Sequence, residues 1–489
     1  MKKLLIVLTL LGFGLNQSFG QFQGGLPTSN FAGVMGITVN PATTNFLNNG
    51  TDFMLFSFSG SMLNNGFYLN PKPIPSLLSP DVFKSLSGKS ETGEKLSMNE
   101  ALDRTFNTQL SLKDRNYIFA DATIYGPSAL INYKNHSFGV TTAFKSASGS
   151  VNLTPELSIF LLKGGTTGDL LNKTFDWNRA ASSTMVYTDF AFNYSYEIIN
   201  TYKSKHRIGI SAHYLNGINS ISITDMGGTT WSFIGDSTIL MTDGNLRYNY
   251  AATKSGKVAE LMETRGRGFA FDIGYTYMRK KKSRPTMMTI CPNIRFGGRV
   301  REYQEYKWKL GVAIMDIGKI DFNNQSIATR YENANGPTKN LELELYKGIF
   351  ALDRRLQFDY SGNPGIKYDL GDSYTHYTAT RFQFQFDYNY KKNLYFNFSG
   401  SQRIPIPNAV SMIAPNILSF TTRYEKLKYE WGVPVSLIEY QYPIMGFYFR
   451  YGPFYLGTNH LLEMVGVRNI RGADLFFGLK FNFSNFKGV

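Results

Sequence analysis

The sequence predicts an all-β chain, a transmembrane antiparallel β-barrel of about 14 strands with about 16 as the alternative count. Three observations carry that prediction. The stretch Leu475-Phe476-Phe477-Gly478-Leu479-Lys480-Phe481-Asn482-Phe483 alternates: Leu475, Phe477, Leu479, Phe481 and Phe483 share one face, and Phe476, Gly478, Lys480 and Asn482 the other. The chain opens like an exported protein, yet beyond Gly20 it holds no apolar run long enough for a membrane helix. Finally, it carries 39 Phe, 31 Tyr and 4 Trp but a single cysteine, Cys291, so no intrachain disulfide staples it. A mean hydropathy of −0.22 suits strands with one apolar face and argues against apolar helices.

Taken in order, residues 1–20 read as a signal peptide. Lys2 and Lys3 form the basic start, Leu4 to Leu15 the apolar run, and Ser18-Phe19-Gly20 the small-residue site, with cleavage expected before Gln21. No cysteine follows the cut, so a lipoprotein anchor is not expected. Residues 21–51 are punctuated by Gly and Pro, with Ala32-Gly33-Val34-Met35-Gly36 and then Asn40-Pro41-Ala42, and are not expected to form one regular element. Residues 52–489 are expected to be the barrel.

Strands recur along that span. Phe190, Phe192, Tyr194 and Tyr196 alternate with polar residues, as do Ile208 to Tyr214, Phe269 to Tyr277, Trp308 to Ile314 and Phe382 to Tyr390. Met54 to Met62, Phe138 to Phe144, Leu394 to Phe398 and Met445 to Tyr451 follow the same rule. A Lys or Arg on the lipid face near the bilayer midplane costs roughly 2–4 kcal/mol. Lys145, Arg207, Ser211, His213, Asp272, Lys309, Gln383, Gln385, Asp387 and Lys480 are therefore expected to face the lumen, with the Phe rows outward. Tyr replaces Phe at one end of several strands (Tyr194 and Tyr196, Tyr275 and Tyr277, Tyr388 and Tyr390), which predicts an aromatic girdle at headgroup level.

Short connectors lie at Lys134-Asn135-His136, Asn200 to Lys205, Lys280 to Arg284, Lys391 to Asn393 and Glu425 to Lys428; long ones span Asn64 to Arg115, Leu153 to Ser183, Thr224 to Arg265 and Glu332 to Tyr374. Short turns on one rim and long loops on the other is the outer-membrane arrangement, with the short turns periplasmic. Helices are expected in the long extracellular loops, after Ser79-Pro80-Asp81, at Ser97-Met98-Asn99-Glu100, and after Thr154-Pro155-Glu156. Weaker strand patterns at Tyr117 to Ile124, Asn293 to Val300, Asn416 to Tyr424 and Tyr429 to Leu437 complete the count. Gly126-Pro127 and Gly452-Pro453 each read as a kink or a turn, and Pro434 suggests a bulge.

Net charge is +15, two of those charges being Lys2 and Lys3. There is no basic helix and no aromatic-basic platform, so nucleic acid is excluded as a partner. The five histidines (His136, His206, His213, His376 and His460) show no metal-ligand spacing, and no cofactor is expected. Ser211 and His213 share a face two residues apart, but no orienting acid is evident from the sequence, so the chain is read as no enzyme. Gly-rich pieces lack the helix and Lys-Ser/Thr of a phosphate loop. Gly209, Gly274 and Gly311 on the inward face leave room for a plug or loop.

Several pieces carry resemblances. A last strand ending in aromatics resembles the C-terminal assembly signal of outer-membrane barrels, though Ser484 to Val489 follow it; this implies the barrel assembly machinery as a partner. The Gly-rich start leading to Asn40-Pro41-Ala42 is similar to the N-terminal segment of the long-chain fatty-acid transporter family, which implies a small hatch inside the barrel. Four pieces in order resemble an uncharacterised Bacteroidota outer-membrane family of the domain of unknown function 5723 type. They are Asn30 to Val34 with Asn40-Pro41-Ala42, Gly268 to Gly274, Leu310 to Gly318, and Phe449 to Pro453 with Gly457. The resemblance implies a barrel in the cell outer membrane, in contact with its lipid, and no catalytic residues. The expected function is a channel or transporter for a small hydrophobic solute; a non-enzymatic partner of a secretion or gliding-motility complex is the alternative, and a barrel lipid hydrolase the weakest reading.

Overall fold

Residues 181–200 show why the chain forms a wall. Phe190 and Phe192 are 51% and 52% exposed, while Asp189, Ala191 and Asn193 between and beside them are buried. A strand with this alternation must place one face against an interior and the other against an apolar surrounding. The computed structural model describes residues 24–43, 50–70, 109–163, 170–234, 238–252, 263–281, 306–339, 366–391, 393–407, 409–426 and 428–484, with 355 and 359.

Fourteen antiparallel strands close the barrel. In chain order they begin with β1 (Gly50–Asn64), β2 (Asn116–Tyr125, continuing as Ser128–Tyr133), β3 (His136–Leu153) and β4 (Ala181–Asn200). Next come β5 (Ser204–Asp225), β6 (Gly266–Lys280), β7 (Tyr306–Phe322) and β8 (Tyr374–Tyr377, continuing as Arg381–Lys391). The wall ends with β9 (Leu394–Arg403), β10 (Ile417–Glu425), β11 (Tyr429–Ile438), β12 (Tyr442–Met445, continuing as Phe447–Tyr451), β13 (Phe454–Thr458) and β14 (Gly472–Ser484). Closure is the pairing of β14 with β1, from Gly50 opposite Ser484 to Leu63 opposite Gly472. It removes the free edges that hydrocarbon does not tolerate.

The expected number of strands is found among the described residues. β6 pairs directly with β7, and the stretch Asn293 to Val300 lies outside the described residues. The count of fourteen includes β13, which pairs with β12 and β14. Gly126-Pro127 is a kink, because both halves of β2 pair with β1 and β3. Gly452-Pro453 is a turn, with Gly452 at φ +55°. Pro434 produces no bulge against β10, where the register is unbroken. The break falls in β12 instead, where unpaired Gly446 separates its two halves and donates its N–H to the Pro434 carbonyl at 2.8 Å. A proline offers its neighbour no N–H, so the adjoining ladder gives way there.

Short turns gather at one rim, after β2, β4, β8, β10 and β12. β6 ends at Lys280 and β7 begins at Tyr306, and most of the turn expected at Lys280 to Arg284 lies outside the described residues. Above the opposite rim, Thr174–Asp176, Thr230–Ile234, Thr238–Ala251, Ser326–Lys339 and Ile366–Gly371 extend the sheet beyond the wall. Helix α2 (Pro155–Lys163) is the one expected after Thr154, whose hydroxyl oxygen accepts the Leu157 N–H at 3.4 Å; the helices expected near Ser79 and Ser97 fall outside the described residues. Phe160, Phe175, Trp177, Trp231 and Phe233 form an aromatic core there, with Trp177 and Trp231 rings 4.7 Å apart.

The outer face is a band of exposed apolar side chains, among them Phe192, Ile210, Phe269, Phe271, Ile273, Phe398 and Phe420. Soluble monomers rarely expose apolar patches beyond a few hundred Å²; a lipid solvent removes the penalty. Toward the short-turn rim the band gives way to Tyr, His and Trp rings in mutual contact: His136 lies 5.0 Å from Tyr196, His206 4.9 Å from Tyr277, and Tyr277 4.9 Å from Trp308. This is the girdle that the Tyr substitutions signal.

Candidate functional site in the barrel lumen

The lumen is occupied by the chain's own N-terminal segment. Leu26–Thr28 makes one 3₁₀ turn, and Gly33, at φ +55°, leads into α1 (Val34–Ile37). Leu26, Val34, Met35 and Ile37 are buried against inward-facing Leu130, Tyr448 and Phe476. Polar anchors fix the segment near the short-turn rim. Lys480 Nζ donates to the carbonyls of Phe31 and, at 2.8 Å, Ala32. Asp52 Oδ1 accepts the Val34 N–H at 3.0 Å. Asn30 Nδ2 donates to Glu425 at 2.7 Å, and the Tyr306 hydroxyl donates to Asn30 Oδ1 at 2.9 Å. The Arg450 guanidinium stacks 4.5 Å over the Phe31 ring.

The segment then crosses to the far wall. Asn40 Nδ2 donates to the Tyr275 carbonyl at 3.2 Å, its Oδ1 accepts the Ala42 N–H at 2.9 Å, and Asn193 Nδ2 donates to the Pro41 carbonyl at 3.1 Å. Asn40 and Ala42 are both about 1% exposed. Gly209 and Gly274 allow this approach: a Cβ on Gly209 would overlap the Pro41–Ala42 backbone, and one on Gly274 the Asn40 side chain. Gly311 also abuts Asn40. Residues 44–49, which lead to β1, lie outside the described residues, as do 1–23 with the expected signal peptide.

The other residues singled out from the sequence sit on the inner wall. Lys145, Arg207, Ser211, His213, Asp272, Gln383, Gln385, Asp387 and Lys480 are buried; Lys309 is half-buried, its ammonium 5.3 Å from the Tyr306 ring centre. They are brought together in ion-pair groups whose other members the sequence did not reveal. Asp189 receives Lys145 at 2.7 Å and His213 Nδ1 at 2.9 Å, while His213 Nε2 meets Asp272 at 2.8 Å. Arg207 joins Glu197 at 3.3 Å, and Lys205 joins the same carboxylate at 2.8 Å. Asp387 and Glu425 both pair with Arg423, which is fully buried. Buried charges persist only when paired in this way. Ser211 Oγ accepts from Asn193 at 3.0 Å, and both ring nitrogens of His213 are held by carboxylates. The acid that the sequence did not reveal is present twice over, and it leaves His213 no nitrogen free to take a proton from Ser211.

A second inserted segment was not foreseen. The connection between β9 and β10 turns into the barrel at 409–416. Tyr377 N–H donates to the Val410 carbonyl at 2.8 Å, Met412 N–H to the Tyr377 carbonyl at 3.0 Å, and Arg403 Nη1 to the Ala414 carbonyl at 2.8 Å. The Ile413 carbonyl lies against Gly149, where a Cβ would overlap it. Met412, Ile413 and Ala414 join an apolar cluster with Phe119, Met185 and Phe322. His376 sits in this region, with Ser183 at 2.9 Å and Ser220 at 2.6 Å from its ring nitrogens. The signal was available: Val410-Ser411-Met412-Ile413-Ala414-Pro415 is apolar where a solvated loop would be polar.

Between the two insertions lies a cavity of about 80 Å³, measured over the positions a water centre can take. Pro27 and Val39 border it from one insertion and Ala414 from the other; Arg381, Gln383 and Asp121 are among the wall residues that line it. Among the described residues no group of His, Cys, Asp and Glu is placed to hold a metal ion, and no helix is long and apolar enough to cross a membrane.

A closed antiparallel wall, an apolar outer band, an aromatic girdle and a polar filled lumen define an outer-membrane-type β-barrel. Residues 76–459 match the Family of unknown function (DUF5723), and the chain belongs to that family. No curated protein matches it. Solved structures similar to the chain include a Pseudomonas aeruginosa FadL homologue, 10% identical, covering 96% of this chain and 98% of that one with a TM-score of 0.37. Another is the Pseudomonas putida toluene transporter TodX, 8% identical, covering 96% and 95% with a TM-score of 0.28. The barrel class rests on the closed ladder described above.

Proposed function

We propose that the chain is a multi-pass barrel of the cell outer membrane, exported through a cleaved signal peptide, that binds and passes a small hydrophobic solute. One observation carries this reading: two insertions, 24–43 and 409–416, enter the same lumen and leave a cavity between them with apolar side chains on both insertions. In this reading the N-terminal segment is a hatch, Asn40-Pro41-Ala42 is its contact with the far wall, and the solute replaces apolar contacts that the insertions make with each other's surroundings. The polar inner wall excludes bulk passage of lipid tails, and the ion-pair groups hold the lumen's shape. The reading is non-enzymatic, in keeping with an occupied His213. Liposomes reconstituted with the chain test it, by comparing entry of a small apolar fluorophore with that of a sugar, against empty vesicles. Selective entry of the apolar probe is expected, faster without residues 24–43. No flux and no bound solute would overturn the proposal.

The strands that extend above the long-connection rim favour a second reading, a barrel that docks a secretion or motility partner. Co-purification from native membranes distinguishes it, and a lone monomer speaks against it.

A further inference from the structure

Charges at the short-turn rim are sorted by sign. Among the described residues, the carboxylates near it (Asp52, Glu197, Asp387, Glu425 and Glu430) are all buried in the lumen. Each has a cation beside it: Lys480 3.7 Å from Asp52, Arg207 3.3 Å from Glu197, Arg450 3.2 Å from Glu430, and Arg423 on Asp387 and Glu425. Of the other cations of this rim, Lys205 is buried on Glu197 and Lys309 is half-buried on the inner wall. Lys134, Lys203, Arg279, Lys307, Lys391 and Lys428 are exposed. No described carboxylate forms an ion pair with any of them. At the opposite rim the exposed charges are mixed, with Asp114, Asp176, Asp243 and Asp321 exposed beside Lys113, Lys173 and Lys319.

The outward lysines also have a fixed level. Lys134 lies 5.3 Å from the centre of the Tyr133 ring, Lys203 5.1 Å from Tyr202, and Lys391 5.2 Å from Tyr390. Lys426 lies 5.6 Å from Tyr424 and 5.2 Å from Tyr429. Four separate turns thus repeat one device, an ammonium over the ring of a girdle tyrosine. Tyrosines at a strand end sit at headgroup depth, and an ammonium resting on such a ring stays at that depth with its N–H donors toward the surroundings.

We infer that this rim is a collar for the phosphates of anionic phospholipids in the adjoining leaflet. The inference rests on the barrel and not on solute passage. The phosphate of such a headgroup accepts from Lys134, Lys203 or Lys391 where the lipid tail lies along the Phe and Ile rows below. An acidic protein surface would not explain why Lys134, Lys203 and Lys391 are each tied to a ring at the apolar boundary. The withdrawal of every described carboxylate of this rim into the lumen keeps those charges from repelling the phosphates.

Native mass spectrometry of the full chain, released from micelles supplemented with phosphatidylglycerol, phosphatidylcholine or lipid A, tests the collar. Phosphatidylglycerol is expected to be retained over phosphatidylcholine and lipid A. The variant Lys134→Gln/Lys203→Gln/Lys391→Gln/Lys428→Gln is expected to lose that retention about tenfold, in line with the weight of a few surface lysines on an anionic leaflet. A matched variant of the opposite rim, Lys113→Gln/Lys173→Gln/Lys319→Gln, should retain it. Equal retention in the two variants, or preference for phosphatidylcholine or lipid A in the unaltered chain, overturns the inference. Compact migration of unheated samples on gels checks that both variants are folded.

Discussion

The ammonium of Lys480, on the closing strand, donates to the carbonyl of Ala32 in the N-terminal segment at 2.8 Å. The same group stands 3.7 Å from Asp52 on the opening strand. Barrel closure and the anchoring of the N-terminal segment therefore share one cation. Lys480→Met removes it and leaves the Asp52 carboxylate buried without its partner. The expected cost is roughly 3–5 kcal/mol, the usual penalty for breaking a buried pair from one side. Urea unfolding in lipid vesicles measures it. A loss under 1 kcal/mol would mean the anchor is incidental.

Gly274 leaves space for Asn40. Gly274→Leu is expected to displace residues 40–42 without opening the wall, because the added atoms point inward. With Cys291→Ser as background and Ala42→Cys as reporter, maleimide labelling should rise at least several-fold over the Gly274 parent. Unchanged labelling would place the segment's hold elsewhere.

Phe271 projects from the outer face of β6, 47% exposed. Phe271→Arg should destabilise the barrel by roughly 2–4 kcal/mol in vesicles, as expected for a lipid-facing cation near the midplane. In a water-facing position the same change would cost almost nothing, so the size of the loss reports the solvent.

Glu463 lies outside the wall, in helix α3 (Leu461–Met464) between β13 and β14. Burial raises its carboxyl above the ordinary glutamate value, against the lowering influence of His460, Tyr442 and Arg468. A raised carboxylate pKa means the folded state binds more protons than the unfolded one, so local stability falls as pH rises from the ordinary glutamate value through the raised one. Hydrogen-exchange protection factors for 461–464 should accordingly drop as pH climbs through that interval. Glu463→Gln should flatten the profile; a rise in protection with pH would contradict the assignment.

Strands with a polar inner face were legible because period-two alternation survives wherever one side meets lipid and the other a polar lumen. β13 was open only as the alternative in which Gly452-Pro453 is a turn, because Phe454-Tyr455-Leu456-Gly457-Thr458 is short and puts an aromatic, Tyr455, on the buried side as well. The close approach of residues 40–42 to the wall was readable from Asn40-Pro41-Ala42 together with three glycines, since close backbone approach has a residue-type signature. Inner-wall ion pairs were not, because register decides them. Asp272 faces Ser211 across β5 and β6, yet its carboxylate reaches His213 diagonally. The apolar run at 410–415 signals burial of the 409–416 insertion but not the wall it meets, which is set by a contact between Gly149 and Ile413, far apart in the chain.

The environment of the Phe and Ile rows is the claim on which everything else depends, and fractionation of cells producing the chain tests it most directly. The folded polypeptide is expected in the outer-membrane pellet after alkaline carbonate extraction, compact on gels until boiled. Recovery as a folded, detergent-free protein in the soluble fraction would contradict the account.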